Sequence, residues 1–111
     1  MALRHAEPGE VVDLRPLGDR LAGTRTHAIV RTPGFEAVRL VLPAGAEIAR
    51  HQVPGRITLH CLEGEIELGL PDGPRRLRMG DWLYLEGGEP HDLRATTDAS
   101  LLLTILFDAA I

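Results

Sequence analysis

Lysine is absent from this chain: all 12 basic residues are arginine. That removes Schiff-base chemistry and a lysine general base from consideration. Cys61 is the one cysteine, so no internal disulfide and no paired-cysteine zinc site can form. Ser100 is the one serine, and neither a Gly-x-Ser-x-Gly elbow nor a phosphate-cradling glycine loop occurs. Long apolar runs are missing too. The longest, near Leu101 to Phe107, falls far short of the roughly 20 residues of a membrane span. The opening MALRHAEPGE has no apolar stretch of the signal-peptide kind. A reducing cytoplasm is the expected compartment. The formal net charge of −4 argues against nucleic acid and anionic membrane as partners.

A helical apolar stripe is also missing, since no segment of about 12 residues or more carries one. What the chain has instead is alternation. Thr24 to Thr32, Phe35 to Leu42, Arg56 to Leu62 and Glu65 to Leu70 read as strands, each stopped by glycine or proline. Pro71-Asp72-Gly73 is a hairpin signal, with Pro74 to Arg78 as the return arm. Short strands follow at Trp82 to Leu85 and His91 to Ala95, and Glu10 to Leu14 offers a further short one near the start. Leu101 to Phe107 is apolar on both faces, which places it at the most buried position or against another subunit. Strands at this spacing predict an all-β sandwich or barrel. At 111 residues the chain is a single domain with one core.

Two stretches stand out. Gly45 to Gly64 (GAEIARHQVPGRITLHCLEG) carries His51 on a strand before the Pro54-Gly55 turn. From Ile57 onward, Ile57, Leu59 and Cys61 share one face, and Thr58, His60 and Leu62 the other. Gly80 to His91 (GDWLYLEGGEPH) closes a glycine-rich loop with a second histidine. The two histidines meet only if the sheet folds back on itself.

These stretches resemble the paired signatures of the cupin family of small β-barrels. Gly45, His51 and Gly64 fall on the first motif, with Val53 at its second histidine and Ile57 at its glutamate. Gly80, Gly88 and His91 fall on the second, with Glu86 at its proline and Ala95 at its asparagine. The resemblance spans about residues 38 to 105. It implies a double-stranded β-helix, a jelly-roll barrel of the RmlC-like kind, built from two antiparallel sheets. It also implies a metal site of three histidines and a glutamate, of which only His51 and His91 stand here. That incomplete set points to a degenerate site, holding a divalent ion weakly if at all, because Val53 and Ile57 have no lone pairs. His60 would need a β-bulge to turn inward as a further ligand.

His51, Val53, Ile57, Cys61 and His91 are therefore expected to line one open end of the barrel cavity. Three functions stay open on the sequence. One is small-molecule binding in an apolar pocket with a histidine pair. Another is a metal-dependent oxygenase, isomerase or decarboxylase, as the resemblance implies, using His51, His91 and waters. The last is metal-free acid–base catalysis by a histidine. Cys61 reads as a packing thiol, Glu63 and Glu65 as solvated, and Trp82 and Tyr84 as packing residues. The two-faced strand near residue 101 predicts a homodimer.

Overall fold

The computed structural model describes residues 4–107. Among the described residues, nine strands follow one 3-10 turn at Gly18–Gly23. They are β1 (His27–Arg31), β2 (Phe35–Leu42), β3 (Glu47–His51), β4 (Ile57–Glu63), β5 (Glu65–Leu70), β6 (Gly73–Arg78), β7 (Trp82–Leu85), β8 (His91–Ala95) and β9 (Ala99–Leu106). One sheet has the order β1-β2-β9-β4-β7, the other β3-β8-β5-β6, and every pairing is antiparallel. The expected jelly-roll is the fold of the molecule. No helix among the described residues is long and apolar enough to cross a membrane.

Alternation builds the core. In the five-stranded sheet, Leu40 and Leu42 of β2, Ile57, Leu59 and Cys61 of β4, and Leu101 of β9 all face inward. From the opposite sheet, Ile66, Leu68 and Leu70 of β5 meet them, with Leu93 and Ala95 of β8. Ile66, Leu68 and Leu101 are fully buried. Each such side chain contributes about 1.5–3 kcal/mol by leaving water. The two-faced strand β9 lies at the centre of its sheet, between β2 and β4, as its composition demands.

Two short elements differ from expectation. Residues 10–14 form no strand. Val11 and Val12 are exposed, so the segment has no apolar face to bury. Glu10 instead accepts the Glu7 N–H and a forked pair of bonds from Arg4, at 2.9 and 2.8 Å, while Ala6 touches β1 through a single backbone bond to Ile29. Strand β1 begins at His27, not Thr24, because Thr26 meets β2 with its side chain: the Thr26 hydroxyl accepts the Val41 N–H at 2.8 Å.

Gly64 makes the β4–β5 corner possible. Its φ is +75°, and a Cβ there would run into the Asp98 carbonyl oxygen. Only glycine fits both conditions.

Candidate functional site

His51 and His91 are direct cross-strand partners on β3 and β8, with ring centroids 4.3 Å apart and planes tilted by 60°. Two features bring them together. Between Ile48 and His51 the register with β8 slips, so a β-bulge turns both residues toward the barrel interior despite their odd separation. The loops that follow β3 and precede β8 are then tied to each other. The Gly88 N–H donates to the Val53 carbonyl at 2.7 Å, and Gly87 lies so close to the Pro54 carbonyl that a Cβ has no room. Gly88 itself sits at φ +77°. Arg56 and Glu86 close the same junction with an ion pair of 2.8 Å.

The pair forms the polar end of a cavity of about 210 Å³. Its other walls are Leu40, Ile48, Ile57, Leu59, Leu93 and Leu103. His91 is 5% exposed and lies within the wall, whereas His51 is exposed and stands at the mouth. Among the described residues, no carboxylate, guanidinium or hydroxyl shares the lining.

Backbone contacts fix the imidazoles. His91 Nδ1 lies 2.9 Å from the Glu89 carbonyl oxygen, and His51 Nδ1 lies 2.9 Å from that of Ala49. A carbonyl oxygen only accepts, so each Nδ1 carries its proton and donates. In the neutral ring, Nε2 is then a bare acceptor. Among the described residues no protein group takes the Nε2 of either ring. Chemically, that lone pair accepts a hydrogen bond, takes a proton from a bound molecule or ligates an ion.

Of the five residues expected at the cavity, His51, Ile57 and His91 line it. Val53 and Cys61 do not. Val53 is half-buried, packed on the edge of the core beside the loop it anchors. Cys61 lies further along β4, opposite Leu101, where its thiol approaches the Glu63 and Gly64 carbonyls at 3.5 Å. Burial pushes that thiol above its ordinary pKa, which makes it an inert packing group. The remaining wall residues were accessible to parity: Leu59 shares a face with Ile57, and Leu93 with His91. Ile48 was not, because the bulge breaks the alternation.

The donor set does not fit a tightly held metal ion. Among the described residues no group of three or more His, Cys, Asp or Glu side chains converges. His60 pairs with Trp82 and Leu102 on the outer face, and the bulge in β4 falls after it, between Cys61 and Glu63. Two imidazoles fall short of the three or four protein ligands such sites use.

A second polar cluster lies on the outer face of the five-stranded sheet, and here the expectation of a solvated Glu63 is corrected. The bulge after Cys61 sets Glu63 opposite Ser100. Its carboxylate accepts from the Leu17 N–H at 2.8 Å, the Gly18 N–H at 3.1 Å and the Ser100 hydroxyl at 2.7 Å. Arg39 Nη2 stands 3.6 Å away, its side chain 4% exposed. The same Nη2 donates to the Arg15 carbonyl at 2.8 Å and to Ser100 Oγ at 3.1 Å, while the buried Arg39 Nε has no partner. Burial pushes the Glu63 carboxyl up, but the Leu17, Ser100 and Gly18 donors with the Arg39 charge outweigh it. The net result lies below the ordinary carboxylate range. Burial likewise lowers Arg39. This cluster fastens the segment around residues 15–18 to the sheet and is structural.

Comparison with known proteins gives one family. The family model described as "Cupin domain" matches residues 38–107. An uncharacterized protein of Aquifex aeolicus is 28% identical over 102 residues, covering 88% of this chain and 84% of that one. A conserved protein of unknown function from Streptococcus pyogenes superposes with a TM-score of 0.79 at 23% identity, over 99% of this chain and 97% of its own. A cupin superfamily protein from Desulfitobacterium hafniense gives 0.72 at 17% identity, over 75% and 76% of the two chains. At these identities the solved structures speak for the fold alone.

Proposed function

This chain belongs to the cupin family, and on that footing we propose that it binds a small molecule in the cavity between its sheets, against His51 and His91. The observation that carries this reading is the cavity's composition: six aliphatic walls and one polar end made of two imidazoles. Apolar surface left open inside a barrel gains free energy when a ligand covers it, and a few polar groups fix the ligand's orientation. A dry apolar cavity of about 150 Å³ holds benzene, so about 210 Å³ is room for a single ring or its aliphatic equivalent. A metal-dependent activity is the weaker reading, because Val53 and Ile57 stand at the family's other ligand positions.

Toluene, which offers only apolar surface, tests the cavity. Saturating toluene raises the wild-type melting temperature, and Leu103→Phe, which places a ring in the same space, removes that rise while the protein stays folded. An equal rise in both proteins would mean that toluene binds elsewhere.

We also propose that the protein is a homodimer, a reading supported by an exposed aromatic pair on the outer sheet face. Trp82 and Tyr84, 58% and 54% exposed, lie 6.3 Å apart on the outer face of edge strand β7. Leu102 and Leu106 of β9 alternate to that same face. A second copy covering this face would bury what a monomer leaves wet.

A further inference from the structure

Resting on the reading of the cavity as a ligand site, we infer that its ligand is an uncharged molecule with a hydroxyl or N–H donor at one end of an apolar body, aimed at His91 Nε2. The inference comes from the direction of the protons. Both Nδ1 atoms donate to backbone carbonyls, at Ala49 and Glu89, so each imidazole in its neutral form offers an acceptor at Nε2 and no donor. The rest of the lining, from Leu40 to Leu103, is hydrocarbon.

A carboxylate placed there finds no hydrogen-bond donor unless an imidazole first takes up a proton, and an unpaired buried carboxylate is costly. An ammonium group finds acceptors but no carboxylate in the lining to balance its charge. A neutral donor meets neither penalty. His91 is the more buried of the two rings, 5% exposed within the wall while His51 stands exposed at the mouth, so the donor is placed against His91. The cavity thus selects an alcohol, phenol, amide or ring N–H over an organic acid of the same shape.

Phenol, toluene and benzoate share one ring and differ only in this end group, so they serve as probes. Their dissociation constants are measured for wild type, His91→Leu and His51→Leu. The ratio of phenol to toluene affinity falls about tenfold in His91→Leu, the equivalent of one net hydrogen bond, and less in His51→Leu. Toluene affinity measured in each variant is the reference for the ratio, so a change in cavity shape moves both affinities together and leaves the ratio in place. Benzoate binds wild type more weakly than phenol. A phenol-to-toluene ratio unchanged by either substitution overturns the donor assignment while leaving the cavity reading standing. Benzoate binding as tightly as phenol overturns it as well, because the rings would then be presenting protons. If neither phenol nor toluene binds wild type, the cavity reading falls and this inference with it.

Discussion

Replacing Glu63 by alanine should cost the protein about 3 kcal/mol, and the size of that loss follows from what the carboxylate touches. Three donors point at it: the Leu17 and Gly18 amides and the Ser100 hydroxyl. Gly18 is exposed and Leu17 only half-buried, so water replaces much of what those amides lose. Ser100 and Arg39 are buried and have no such recourse. Breaking a buried ion pair from one side costs about 3–5 kcal/mol in general. The 3.6 Å separation and the Ser100 and Arg15 contacts that Arg39 retains put this one at the lower end. Glu63→Gln keeps the shape but sets an amide NH2 against one of the donors, and should cost about 2 kcal/mol. Removing both charges, as Arg39→Met with Glu63→Leu, should cost less than the sum of the single changes. The pH dependence has a fixed sign. Glu63 is held below its unfolded value, so its contribution is present above the ordinary carboxylate range and disappears as pH falls through the lower, folded value. Wild type therefore loses stability in that acid window more steeply than Glu63→Gln does. Denaturant unfolding followed by far-ultraviolet circular dichroism measures all of this. A loss under about 0.5 kcal/mol for Glu63→Ala would show the carboxylate to be solvated and the argument wrong.

Ile57→Glu adds a carboxylate to the wall the two imidazoles share. It should lower stability by about 2–4 kcal/mol without metal and acquire a zinc-dependent rise in melting temperature larger than that of wild type. An equal rise in wild type would mean that the native donor set already suffices. Light scattering at micromolar concentration should give twice the chain mass of 12.1 kDa, and Trp82→Glu with Tyr84→Glu should return it to 12.1 kDa. Gly64→Ala should cost about 2–4 kcal/mol in a thermal melt, because it combines a positive φ with a collision against the Asp98 backbone. A near-neutral result would mean that the β4–β5 corner relaxes freely.

Most strands were legible because alternation is a local property. Phe35 to Leu42, Glu65 to Leu70 and Trp82 to Leu85 appear in the structure with the bounds their patterns predict. The meeting of His51 and His91 was legible through the glycine frameworks, which mark turns and so set the path of the chain. Register slips were not legible. The bulge after Ile48 turns a wall residue inward against parity, and the bulge after Cys61 swings Glu63 onto Ser100. A bulge leaves no fixed signature in composition, since it is settled by what the neighbouring strand presents. Arg39, embedded in the apolar run FEAVRLVL, was the one visible hint of a buried charge awaiting a partner. Cys61 lies on the inward face that parity gives it but further along the barrel than the cavity, because parity gives a side and not a position.

The claim that matters most is that a small molecule occupies the space between the sheets, and methyl NMR locates it. With Ile and Leu methyls labelled, phenol should shift the resonances of Leu40, Ile48, Ile57 and Leu103, which wall the cavity. Leu102 and Leu106, on the outer face of the same strand, should stay in place. Shifts at Leu102 and Leu106, with the cavity methyls unmoved, would contradict the account.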